Sequence, residues 1–214
     1  MPKSNQLLFG FGIALQAILF PWLILRPNFS DNRLLMIGLL SLALAIALTY
    51  THWRSAIWLG VSSVAALLVA TQQPRLIILL IVQLGLTWLL TTQKMATPTL
   101  LTLVFGQLLL FQCLWFFSYV HSLPLTNLID LAAIYLGALL LIWGTFFPRW
   151  LYAGLGVLLL IGAYYLQRLN LVGSGLALLV LLVPVFSKKP LAPWVLNLAP
   201  VMFSLILVLT RLQG

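Results

Sequence analysis

The sequence predicts an all-α fold, a polytopic bundle of transmembrane helices, and three observations carry that prediction. Of its 214 residues, 63% are hydrophobic and only 6% are charged, against about 25% charged in an ordinary soluble domain. The apolar residues form continuous runs, not the alternating pattern of barrel strands. The runs also have the length that a bilayer demands, since a helix crosses a hydrocarbon core of about 30 Å with about 20 residues. So few charged side chains cannot clothe a soluble fold. A cytosolic globular protein, a disordered chain and a disulfide-built secreted scaffold are excluded.

The elements follow in order. A first span over 6–25 comes after Lys3. Its apolar run is longer than a signal-peptide core and no small-residue cleavage site follows, so it is read as retained. The second span, 34–51, follows a polar loop holding Asn28, Asp31, Asn32 and Arg33. The third, 55–71, and the fourth, 76–92, are short, and the third contains Ser62 and Ser63. Eight spans is therefore the alternative to nine. Pro98 opens the fifth span, 98–120, and the sixth covers 128–147. Phe147-Pro148-Arg149 and Gln167-Arg168 are tight turns bounding the seventh span, 150–167, and the eighth, 170–187; the ninth is 192–211. Proline cannot continue a helix interior and cations prefer the interface. Pro21, Pro184 and Pro200 should kink or end their helices, with Pro200 the one deep enough for its freed carbonyl to matter. Spans then occupy most of the chain, which is expected to be a single integral-membrane domain over 1–214.

Eleven Lys and Arg against two acids give a net charge of +9. The cations stand singly or in pairs between apolar runs, as helix-end anchors do, and not as a nucleic-acid-binding face. Trp22, Trp53, Trp88, Trp143, Trp150 and Trp194 fall near span ends, as an aromatic belt. For nine spans the cations divide almost evenly between the two sides. The Lys188-Lys189 pair tips the orientation toward a cytoplasmic amino terminus, in a plasma or inner membrane.

An internal repeat is visible once leucines are ignored. Phe9-Gly10 recurs as Phe105-Gly106, Gln16 as Gln112 and Gly60-Val61 as Gly156-Val157, all at an offset of 96. Asn32 and Asn127, Arg54 and Arg149, Lys94 and Lys189, and Pro98 and Pro193 match at 95. The expected architecture is a tandem pair of parallel four-helix units, 1–95 and 97–190, with 192–211 as an added C-terminal helix.

The chemistry is sparse. There is no His-Glu-x-x-His, no phosphate-binding glycine loop and no CxxC. Cys113 stands alone in an apolar run, as a packed thiol. Gly173-Ser174-Gly175 resembles a nucleophile turn, but no histidine follows it, and Gly173 with Ala177 reads better as a close-packing face. His52 and His121 lie at span ends without an acid or cysteine beside them. No catalytic, cofactor-binding or metal-binding residue is assigned.

Asp31 should be solvated in the first loop. Asp130, just inside the sixth span, is a candidate interfacial polar site. Shallow burial and opposition to the helix dipole are expected for it, or contact with a headgroup or a partner's cation. No ionisable residue lies near the centre of a span, which argues against ion-coupled transport and acid–base catalysis. The polar residues at depth are Gln16, Gln83, Gln107 and Gln112. A carboxamide in lipid must find a partner, and Gln16 and Gln112, at equivalent repeat positions, are expected to pin the first and fifth helices together. Ser62, Ala66 and Ala70 on the third span, and Ser41 and Ala45 on the second, form close-packing faces.

This inventory favours a non-catalytic membrane protein, a subunit or assembly scaffold of a larger complex, whose partners are the lipid bilayer and other membrane subunits. A facilitator or permease for a small uncharged or lipidic solute is the alternative, and a membrane-embedded lipid-modifying enzyme the third reading. Nucleic acid and cofactors are not expected.

Overall fold

A computed structural model describes residues 3–25, 32–51, 54–144, 146–186 and 191–212, which are helical with short turns and contain no strand. Expectations resting on Asn28, Asp31, His52, Trp53, Lys188 and Lys189 lie outside the described residues. The helices are α1 (Lys3–Leu25), α2 (Arg33–Thr49), α3 (Ser55–Gln72), α4 (Ile77–Thr92), α5 (Thr97–Val120), α6 (Leu125–Trp143), α7 (Arg149–Tyr165), α8 (Leu171–Phe186), α9 (Pro193–Asn197) and α10 (Ala199–Leu212). Six segments are long and apolar enough to cross a bilayer: 5–25, 55–72, 74–92, 97–120, 125–143 and 193–211. The protein is an integral membrane protein. Helices α2, α7 and α8 are apolar but shorter.

Local chemistry sets the boundaries. The Asn32 carboxamide accepts from Leu35 N–H at 3.0 Å and caps α2. Proline stands at the start of α5 and α9 and just before α6 and α7, where its missing N–H costs nothing. The sixth helix begins at Leu125, three residues before the expected 128, because Pro124 lets the next residues make a full turn. It ends at Trp143 instead of 147, with Gly144 at its cap and Pro148 beyond. The expected ninth span is broken into α9 and α10 at Leu198. Pro200 has no N–H for the Leu196 carbonyl, so the α-helical ladder is interrupted there.

The chain divides into two compact units, 1–123 and 124–214. In the first, α2 and α3 pack most closely. A Cβ on Gly38 of α2 would lie 2.9 Å from a Val69 methyl of α3, and Ser62 and Ala66 are buried. The small-residue face of α3 is thus filled from within this chain. Helix α5 packs on α1 and α4, burying Leu101, Phe105, Leu108, Phe111 and Trp115. Phe20 and Phe116 meet edge to face at 6.2 Å.

Helix α1 also crosses α2 at Gly10, where a Cβ would sit 2.7 Å from Thr51 Cγ2 and 2.9 Å from the Ala47 carbonyl oxygen. The backbone oxygen cannot rotate away, so Gly10→Ala should lower stability by about 2 kcal/mol. Gly106→Ala, where nothing lies within 4 Å, should be neutral or stabilising by up to about 1 kcal/mol. Thermal unfolding of the two variants in one detergent checks the contrast; equal midpoints would refute the close crossing.

In the second unit α6 packs on α7 and α10, and α8 on α7 and α10. A Cβ on Gly137 would lie 3.0 Å from the Phe203 ring, so α6 and α10 meet across that glycine. Gly173 lies against Thr210 of α10 with no room for a side chain, and Ala177, one turn on, is also buried. The face formed by Gly173 and Ala177 therefore serves internal packing. The Tyr152 hydroxyl of α7 donates to the Leu181 carbonyl of α8 at 2.5 Å, in the turn that Pro184 disturbs.

Candidate functional site

Both candidate groups are built from polar side chains in an apolar helix bundle. In the first unit, all four expected glutamines are buried. Gln112 on α5 donates through Nε2 to the backbone oxygen of Gln16 on α1 at 2.5 Å. The link therefore joins side chain to main chain, not carboxamide to carboxamide. Gln107, on α5, receives the Tyr50 hydroxyl proton on Oε1 at 2.5 Å. Its Nε2 donates to Thr87 Oγ1 at 2.6 Å and reaches the Gln83 carbonyl at 3.4 Å. Thr87 in turn donates to that same carbonyl at 2.8 Å. One carboxamide thus ties the end of α2 to α4 and α5. Gln83 enters through its backbone oxygen, and its Nε2 has no hydrogen-bond partner among the described residues.

Tyr50 and Thr87 were not singled out by sequence reasoning. Thr87 lies one turn after Gln83, a spacing that places both on one helix face. Tyr50 carried no signal beyond its place at a span end.

The second group surrounds Asp130. Asp130 is in the second turn of α6 and is 0% exposed. The Arg211 guanidinium, from the last turn of α10, is hydrogen-bonded to Oδ2. Arg168 Nε, from the turn between α7 and α8, stands 3.8 Å from Oδ1. The carboxylate finds its counter-charges in its own chain, which overrides the helix dipole as its main partner. A buried carboxylate needs such pairing, because desolvation penalises the isolated charge by several kcal/mol.

The turn that delivers Arg168 has a specific geometry. Gln167 adopts a left-handed conformation, φ 56°, which residues with a Cβ rarely take. The Arg168 N–H then folds back onto the Ala163 carbonyl at 2.8 Å, closing α7. Two residues later, Asn170 Oδ1 accepts from Gly173 N–H at 2.7 Å and opens α8. A depression of about 700 Å³ lies at this end, lined by Tyr164, Tyr165, Arg168, Asn170, Thr210 and Arg211 among others. Two guanidiniums against one carboxylate leave it with a local charge of about +1.

By their places at span ends, Arg168 and Arg211 read in the sequence as helix-end anchors like the other cations. A signal for their role did exist: in the nine-span reading both fall on the side where the sixth span begins with Asp130. A second depression, of about 440 Å³, occurs in the first unit, lined by Asn32, Gln73, Ser118, Tyr119 and His121. There Gln73 Nε2 donates to the Ser118 carbonyl at 2.6 Å. Among the described residues no group of three His, Cys, Asp or Glu is placed to hold a metal ion. Cys113 is buried and unpaired with another cysteine. Ser174 Oγ is buried and has no hydrogen-bond partner among the described residues. No protein-family model, curated protein or solved structure matches this chain.

Proposed function

We propose that the protein is a non-catalytic subunit or assembly scaffold of a larger membrane complex, crossing the bilayer nine times. The observation that carries this reading is where its glycines stand. Gly60, Gly85, Gly106, Gly154, Gly162 and Gly175 lie on α3, α4, α5, α7 and α8 with nothing within 4 Å of a Cβ position. Glycine in a helix interior costs about 1 kcal/mol relative to alanine, and among the described residues no atom takes advantage of the space. Helices associate in lipid where small residues let backbones approach, so these positions suit neighbouring helices from other subunits. The deep carboxamide of Gln107 is committed to Tyr50 and Thr87, which favours a structural role over a solute path.

A tandem repeat fits the same reading. Helix starts recur after 92 to 96 residues, in the pairs Lys3 and Thr97, Arg33 and Leu125, Ser55 and Arg149, Ile77 and Leu171, and Thr97 and Pro193. Duplicated units would present similar faces to similar partners.

The test is affinity purification of the tagged protein in a mild detergent, with Gly106→Leu and Gly154→Leu as comparisons. Wild type should retain membrane-protein partners in fixed stoichiometry. The variants should lose them at least about tenfold while their unfolding midpoints stay at or above that of wild type. A monodisperse monomer from native membranes, or partners retained equally by both variants, would overturn the reading.

A further inference from the structure

We propose that the depression between the α7–α8 turn and the end of α10 binds a phosphate group, seated between Arg168 and Arg211.

The argument begins with unequal numbers of donors and acceptors. Each guanidinium carries five N–H donors and no acceptor. The acceptor at hand is Asp130, which is fully buried and whose Oδ2 is already taken by Arg211. Arg168 stands 3.8 Å from the other oxygen, beyond hydrogen-bond range, and its buried Nε has no hydrogen-bond partner among the described residues. Positive charge and donor capacity are therefore left over at a fixed place.

Fixed is the second point. Arg211 is held by a carboxylate that water does not reach, and Arg168 follows a backbone turn closed by its own N–H. Preorganised arginine forks suit the tetrahedral oxygens of phosphate, which they can grip through two parallel bonds. Asn170 has its Oδ1 occupied by Gly173 N–H, leaving its amide donors for a ligand. Asp130 cannot bind an anion; its part is to orient Arg211 and to cancel one of the two charges.

The third point is location. Tyr164 and Tyr165, on the rim, are 53% and 84% exposed. Amphipathic rings of this kind sit at headgroup depth, and basic pockets at helix ends hold anionic headgroups. A lipid phosphodiester and a free phosphate share the chemistry, and the two are separated by experiment.

The full-length protein in dodecyl maltoside is titrated with phosphatidylglycerol, phosphatidylcholine and inorganic phosphate, with the unfolding midpoint and lipid retention by native mass spectrometry as readouts. Phosphatidylglycerol should raise the midpoint and be retained, whereas phosphatidylcholine should not. Arg168→Gln, which touches the Asp130 carboxylate only loosely, should keep the unliganded midpoint and weaken retention about tenfold. Arg75→Gln, an exposed cation of the first unit, should retain lipid as wild type does. Stabilisation by millimolar inorganic phosphate alone, lost in Arg168→Gln, supports the site with free phosphate as its source. Equal response to both lipids and none to phosphate, or an Arg168→Gln variant that binds as wild type does, overturns the proposal.

Discussion

Asp130→Asn should destabilise the 124–214 unit by about 3 kcal/mol, the largest effect expected of any single substitution discussed. The side chain is fully buried, so the change alters no solvent-facing surface. It removes the charge that holds the Arg211 guanidinium and faces that of Arg168. Arg211 would then face a neutral amide, and Arg168 nearby would add repulsion without an opposing carboxylate. Breaking a buried pair costs about 3–5 kcal/mol. The lower end applies here, because the Arg211 side chain is 32% exposed and the Arg168 side chain 20%, so both keep part of their hydration. Replacing both partners tells charge from shape. Asp130→Leu with Arg211→Leu should recover most of the loss, since an apolar pair suits a helix interior at least as well as an ionic one. Thermal and denaturant unfolding in detergent measure both. A midpoint for Asp130→Asn within experimental error of wild type would mean that the carboxylate does not organise this end of the unit.

Gln107→Leu should cost about 2 kcal/mol, from the loss of three contacts worth roughly 0.6–1.7 kcal/mol each at membrane depth. The substitution leaves the Tyr50 hydroxyl, on a residue only 4% exposed, with no acceptor where no water can replace one. Gln112→Leu breaks a single interhelical bond and should cost about 1 kcal/mol. A cycle with Tyr50→Phe isolates the pairwise part: the double variant should be less destabilised than the two single effects added together. Strict additivity would show that Tyr50 and Gln107 act independently. The ranking of Gln107 above Gln112 is the sharper test, because both are buried glutamines of one helix and they differ in what they hold.

The helices were legible in the sequence because their signal is collective. Each span averages over many apolar residues, and flanking cations and prolines mark its ends. The break at Leu198 was less visible, although Pro200 had been marked as the proline whose freed carbonyl matters. Whether proline kinks or interrupts a helix depends on what packs beside it. The partners of Asp130 were hidden for a different reason. Arg168 and Arg211 each look like ordinary end anchors, and their meaning lies in a meeting of three segments distant in the chain. The glutamines were visible as costly residues, since a carboxamide in an apolar run must be satisfied. Which atom satisfies it was not readable, and the Gln16 backbone oxygen is a partner that no side-chain pattern encodes.

The short helices α2, α7 and α8 bear on which membrane suits the protein. With 17, 17 and 16 residues they reach about 24–26 Å at 1.5 Å per residue, whereas α5 has 24 residues. On the proposed nine-span topology, a bilayer would thin beside the short helices or yield to tilt beside the longer ones, at fractions of a kcal/mol per Å of mismatch. The protein should therefore be most stable among lipids with short acyl chains. Lengthening those chains in reconstituted vesicles should lower the unfolding midpoint, so that bilayer thickness itself becomes a variable to which the protein responds.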